Sequence, residues 1–241
     1  MKLTHIVAER GFAITGEVAP PKGADPSDAL AEARELARHV DAVNVTDGQG
    51  AVMRMAPIAL ARLMIEESIV PIWQTTCRDR NRIALQADLL AAEALGVQNA
   101  LILTGDHMVL GDHPDAKPVF GLDSVQLLHV AARMRGGYDL AGNELSAPLH
   151  LCTGAVVAPE ADNVELQLMK LRKKLDAGAQ FVQTQAVFDP AAFARFMQRA
   201  SLKDVPLLAG IIPVTSPRMA FISLLRSSMS GSGMAENSAL V

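Results

Sequence analysis

Glu17, Asp106, Gln183 and Gln185 each stand at or near the end of an apolar, β-prone run. A carboxylate that closes such a strand, as Glu17 does after Ala13-Ile14-Thr15-Gly16, is partly desolvated. Desolvation raises its pKa and lets it hold a proton for general-acid work. A loop-anchoring glutamate paired with Lys22 accounts for the position equally well. Asp106 follows Leu101-Ile102-Leu103-Thr104-Gly105, and the glycine permits close approach of a ligand ring. A turn or helix-capping aspartate is the competing reading. Gln183 and Gln185 lie two residues apart and so share one face of a strand. Their amides suit the edge of a heterocycle, or a polar layer satisfied by its neighbours. Asp106-His107 and Asp112-His113 offer metal-ligand types, but in a loop with Gly111 and Pro114, where turn chemistry serves; no metal is expected. Cys77 and Cys152 have no base specified by the sequence. In Arg172-Lys173-Lys174 one or two cations could reach a phosphate, or form a solvated face near a helix C-terminus.

Elements that position these residues follow from periodicity. Strands are expected at 12–18, 42–46, 70–77, 100–104, 148–153, 181–186 and 207–212. Helices are expected at 27–39, 57–67, 78–95, 124–135, 163–177 and 190–200. Ser27 is the expected N-cap of the first of these, and Gly96 and Gly178 mark helix ends. Leu89, Leu90, Ala94 and Leu95 are expected to form one inward stripe; Leu166, Leu168, Met169, Leu171 and Leu175 are read as core. Seven βα units in single file suggest a (β/α)8 TIM barrel or a doubly wound sheet. Gly48-Gln49-Gly50 lacks the third glycine of a dinucleotide fingerprint, which favours the barrel. The barrel is expected to occupy residues 1–226 as a single catalytic domain, with a helix at 219–226. It shows no eighth βα unit, and 227–241 read as a flexible Ser/Gly-rich tail.

The chain has 241 residues, half of them hydrophobic, and a net charge of −4. That supports a folded core and excludes recognition of nucleic acid through a basic face. Two cysteines cannot build a disulfide framework. No apolar run is long enough to cross a bilayer, and no signal-peptide core follows the N-terminus, so a cytoplasmic protein is expected.

The strand-end residues, taken together, form motifs in order. They are Gly16-Glu17-Val18-Ala19-Pro20-Pro21-Lys22-Gly23, Val45-Thr46-Asp47-Gly48, Thr76-Cys77-Arg78-Asp79-Arg80-Asn81-Arg82 and Leu103-Thr104-Gly105-Asp106. Further along come Leu171–Ala179, Gln183–Asp189 and Gly210-Ile211-Ile212-Pro213-Val214. Over about residues 11–221 the chain resembles the 5,10-methylenetetrahydrofolate reductases. The resemblance implies a flavin-dependent barrel that interconverts 5,10-methylenetetrahydrofolate and 5-methyltetrahydrofolate in one-carbon and methionine metabolism. It implies that Glu17 protonates folate N10 and that Asp106 lies near the flavin pyrimidine and the pterin. It further implies that Gln185, with Gln183, binds the pterin, Thr46 contacts the flavin, and Lys174 lies near the cofactor phosphates. Gln74, Thr104, Gly154, Val156 and Ala158 depart from the better-known branch, at positions of its flavin-diphosphate and nicotinamide surface. FAD is therefore expected with FMN as an alternative, and the electron donor is NADH, NADPH or a partner protein. An open barrel seam makes self-association or a partner plausible. The competing reading is a non-catalytic or incomplete folate-binding subunit that acts only within a complex.

Overall fold

The computed structural model describes residues 1–202 and 204–213. A short helix α1 (Leu3–Arg10) precedes six strand–helix steps and a seventh strand. These are β1 (Thr15–Val18), α2 (Ser27–Ala37), β2 (Ala42–Val45), α3 (Pro57–Glu66), β3 (Pro71–Thr76), α4 (Arg82–Ala94) and β4 (Asn99–Leu103). They continue with α5 (Ser124–Arg135), β5 (Cys152–Val157), α6 (Val164–Asp176), β6 (Phe181–Ala186), α7 (Pro190–Ala200) and β7 (Leu207–Gly210).

All neighbouring strands pair in parallel, in the order β1 to β7. A doubly wound sheet would reverse its order at a switch point, and this one does not. The arrangement is the TIM-barrel one, with six βα units and a seventh strand among the described residues. The expected helix 219–226 and tail 227–241 lie outside the described residues.

Two apolar layers follow from strand alternation. Ala42, Ile72, Leu101, Cys152, Phe181 and Leu208 form a cluster inside the barrel. Val43, Val45, Trp73, Ala100 and Ile102 point outward and pack against the helices. The inner cluster also contains Leu3, fully buried, from α1. Asn99 holds that helix, accepting from Leu3 N at 2.7 Å and donating to the Met1 carbonyl at 3.0 Å.

Several expectations are corrected. The fifth strand lies at Cys152–Val157, four residues beyond the expected start. A Cβ at Gly154 would stand 2.3 Å from the Phe181 ring, so the glycine is a mid-strand seat for that ring and not an end signal. Helix α1 is an addition to the expected elements. Ser27 is the first helical residue; Pro26 occupies the N-cap position, and Asp25 accepts from the Ser27 backbone and hydroxyl. Helix α4 starts at Arg82, capped by Asn81, which leaves 78–81 in a loop. Its buried face is Leu85, Leu89 and Ala92, whereas Leu90 is exposed. On α6 Leu168 and Leu171 are buried, and Leu166 and Met169 are exposed. Gly96 and Gly178 do follow helix ends, with φ of 84° and 99°.

Candidate functional site

The inward faces of the strands turn polar toward their C-terminal ends. Glu17 pairs in register with Asn44 on β2, and Gln74 follows on β3. Gln183 and Gln185 extend the inner surface of β6. With Asp106, just past β4, the groups Glu17, Gln74, Gln183 and Gln185 line one cavity at the barrel's C-terminal mouth. Active sites of this architecture sit at that face.

Gln74 Nε2 donates to Glu17 Oε2 at 3.4 Å, a long hydrogen bond. Glu17 is still reached by water, yet the surrounding protein holds its carboxyl above the usual carboxylate range. Desolvation is the larger cause, and the Gln74 hydrogen bond opposes it. Lys22, the alternative partner for Glu17, instead donates to Asp112 Oδ2 at 2.7 Å. Asp106 is buried, and its Oδ2 accepts from Gly50 N at 2.9 Å. The loop after β4 is thereby tied to the loop after β2. Asp112 repeats the linkage, accepting from Met53 N at 2.9 Å. His107 Nδ1 accepts from Val109 N at 3.3 Å, so Asp106, Asp112 and His107 each serve a turn or a loop tie.

Thr46 lies above Asn44 on the inward side of β2, fully buried, but it does not line the cavity. Its Oγ1 has no partner among the described residues, nor do Asn44 Oδ1 and Gln183 Oε1. A buried polar atom left unpaired costs about 1–3 kcal/mol, and of these three only Gln183 Oε1 lines the cavity, where a ligand donor can complete it. Lys174 stands elsewhere. It is buried behind the sheet, donates to the Val156 carbonyl at 2.8 Å, and lines a second small cavity with Thr104, Ser124 and Gln167. Its neighbours Arg172 and Lys173 are exposed. Cys77 is buried with its thiol pushed up to about 12, chiefly by desolvation and then by Asp123, and this disfavours a nucleophilic thiolate.

Sequence reasoning gives no role to Arg78, Asp47 or Gln74, although all three line the cavity. Asp47 Oδ2 accepts from Thr76 N at 2.8 Å and pairs with Arg80 at 2.7 Å, which fixes the ends of β2 and β3 together. The available signal is the charge alternation in Arg78-Asp79-Arg80 directly after a strand. The cavity encloses about 60 Å³ of space that water can occupy, room for about two waters. A ring system is larger, so it would lie across the mouth with a polar edge reaching in.

Comparison with known proteins gives a consistent assignment. The family model described as methylenetetrahydrofolate reductase matches residues 2–227. "Methylenetetrahydrofolate reductase 2" of Schizosaccharomyces pombe is 26% identical over 190 residues, covering 72% of this chain and 28% of that one. "5,10-Methylenetetrahydrofolate reductase" of Salmonella typhimurium is 38% identical over 147 residues, covering 60% of this chain and 44% of that one. The chain thus spans less than half the length of these relatives. Among solved structures, 2,3-dimethylmalate lyase superposes with a TM-score of 0.56 at 18% identity, over 91% of this chain and 76% of that one, a likeness of fold alone. Among the described residues no helix is long and apolar enough to cross a membrane.

Proposed function

Since the chain belongs to the methylenetetrahydrofolate reductase family, we propose that it reduces 5,10-methylenetetrahydrofolate to 5-methyltetrahydrofolate, or runs that reaction backward, with bound FAD. The observation that carries the reading is one cavity at the barrel mouth lined by a carboxyl held toward its protonated form and by two inward amides.

The donor set fits a flavin. Gln183 Oε1, which lines the cavity, is unpaired among the described residues, and Asp106 and the Gly48–Gly50 turn supply further polar edges. Asp106 and Gln183, which line the cavity, would hold the ring; Thr46 and Lys174, which the resemblance assigns to the flavin and its phosphates, stand outside that cavity. When bound, the flavin supplies a hydride to the methylene carbon, and NADH, NADPH or an electron-transfer protein recharges it.

Glu17 supplies the proton. Protonating folate N10 weakens its bond to the methylene carbon, and that bond breaks with its electron pair leaving on N10. The carbon, still joined to N5, becomes the electrophile. One proton and one hydride then account for the whole two-electron reduction. Desolvation raises the Glu17 pKa above the usual carboxylate range, which favours the protonated form that a general acid needs. Gln183 and Gln185 orient the pterin by its donor–acceptor edge. Asp106 faces the cationic folate and stabilises it through its negative charge.

The test is the absorption spectrum of the purified chain, loaded with FAD if colourless, followed by anaerobic addition of 5-methyltetrahydrofolate. Reduction of the flavin, seen as bleaching, is expected. A chain that takes up no flavin yet binds folate would instead be the non-catalytic subunit.

A further inference from the structure

Arg78 is the one cation among the described residues that line the cavity, beside the carboxylates of Glu17, Asp47 and Asp106. It is only 6% exposed. Its guanidinium is anchored on one side by Asp79, through Nε at 2.9 Å and Nη2 at 2.7 Å, and Nη1 donates to the Gly48 carbonyl at 3.0 Å. Three of its five N–H bonds are thus used. One on Nη1 and one on Nη2 have no acceptor among the described residues.

The placement is built by three loops. Gly48 adopts φ of 55°, and a Cβ there would stand 2.6 Å from Arg78 Nη2, so the guanidinium lies against a bare glycine. A Cβ at Gly105, next to Asp106, would meet Arg78 Cβ at 3.0 Å. The Arg78 carbonyl accepts from Val119 N and Phe120 N of the loop after β4. The side chain is therefore fixed before any ligand arrives.

Resting on the flavin reading above, we infer that Arg78 receives the N–C=O edge of the isoalloxazine ring, where the reduced flavin carries its negative charge. A planar fork with two open N–H bonds matches such an edge, and a guanidinium is a permanent cation. It lines the same cavity as the amides of Gln74, Gln183 and Gln185, which points to the ring and not to a cofactor phosphate. Asp106 and Asp47 would repel an anionic edge, and Arg78 offsets them. When the hydride enters the oxidised ring, its electron pair leaves one negative charge on that edge. Arg78 stabilises this product and so raises the flavin potential.

The experiment compares wild type, Arg78→Met and Arg78→Lys, each loaded with FAD and separately with riboflavin, which has no phosphate. Affinity is measured by fluorescence titration and potential against a reference dye. Arg78→Met is expected to lose at least tenfold in affinity for reduced over oxidised flavin, a midpoint lower by about 30 mV for a two-electron couple. The loss should be equal with FAD and riboflavin. Arg78→Lys, which keeps charge but not the fork, should fall between and covers the case in which the methionine variant fails to fold. An unchanged potential in both variants overturns the assignment while leaving the flavin reading intact. Weakened FAD binding with unaltered riboflavin binding overturns it in favour of a phosphate contact. A wild-type chain that binds neither flavin overturns the function itself.

Discussion

The substitution Glu17→Gln separates the proton of this side chain from its shape. The new amide keeps an oxygen that Gln74 Nε2 can still reach, so the 3.4 Å contact and the packing of β1 survive. Only the transferable proton is removed. A positioned general acid contributes about 10²–10⁴ in rate, or roughly 3–5 kcal/mol of barrier at 1.36 kcal/mol per tenfold. Desolvation outweighs the opposing Gln74 contact, so the carboxyl is shifted toward the protonated form in which it can act as an acid. The assay is anaerobic stopped-flow on FAD-loaded protein, with the folate half-reaction followed as reoxidation of the pre-reduced flavin by 5,10-methylenetetrahydrofolate and flavin reduction by dithionite followed separately. Glu17→Gln should slow the first by about 10² or more and leave the second nearly unchanged. Equal loss in both half-reactions would refute the acid role. Linkage supplies a second check. A carboxyl raised by folding contributes stability that is present below its ordinary pKa and lost as pH rises through the folded value. The stability of Glu17→Gln relative to wild type should therefore grow as pH rises across that window, and a pH-independent difference contradicts the desolvation argument.

Other outcomes follow from the same geometry. Gly48→Ala forces a side chain into φ of 55° against Arg78 Nη2; a loss of about 1–2 kcal/mol in urea unfolding is expected, together with weaker flavin binding. Lys174 is buried behind the sheet on the Val156 carbonyl, so Lys174→Met should cost about 1–3 kcal/mol in urea unfolding by leaving that carbonyl unpaired; a loss of FAD affinity with riboflavin binding and stability unaltered would instead give it a cofactor phosphate. Asp112 is held at about 2 by Lys22 and the Met53 amide, so its contribution exists above the ordinary value of 3.8 and is lost as pH falls toward 2. Asp112→Asn should flatten acid unfolding in that interval, read by circular dichroism. Leu3→Ala opens a fully buried site inside the barrel and should cost about 2–5 kcal/mol in denaturant unfolding.

Much of this arrangement is legible in the residues because barrel strands are short, apolar and end in polar groups. The expected sixth strand has its observed bounds, and Glu17, Asp106, Gln183 and Gln185, marked by strand-end position, do line one cavity. The features that sequence misses are decided by distant parts of the chain. The fifth strand is displaced because Gly154 is required by the Phe181 ring of the next strand, which no local pattern reveals. Helix α1 leaves little local trace because only Leu3 and Ile6 are buried, and Asn99 supplies its anchor. Lys174 reads as one cation of an exposed trio; packing against β5, not composition, separates it from Arg172 and Lys173. Arg78 belongs to a motif that gives it no role of its own, since its importance depends on Gly48, far earlier in the chain.

The anchoring of α1 bears on how the chain reaches its native state. The seat for Leu3 is assembled from β2, β3, β4, β5, β6 and β7, and the hydrogen bond from Leu3 to Asn99 spans 96 residues. During synthesis α1 therefore waits for Leu208, another member of its cluster, before its seat is complete. Contacts of such long sequence separation form late and slow folding. Until then Leu3 and Ile6 stay exposed on the nascent chain, a surface for chaperones to hold. In the finished protein α1 acts as the latch of assembly: its protection from hydrogen exchange should rise only after the strands have closed around it.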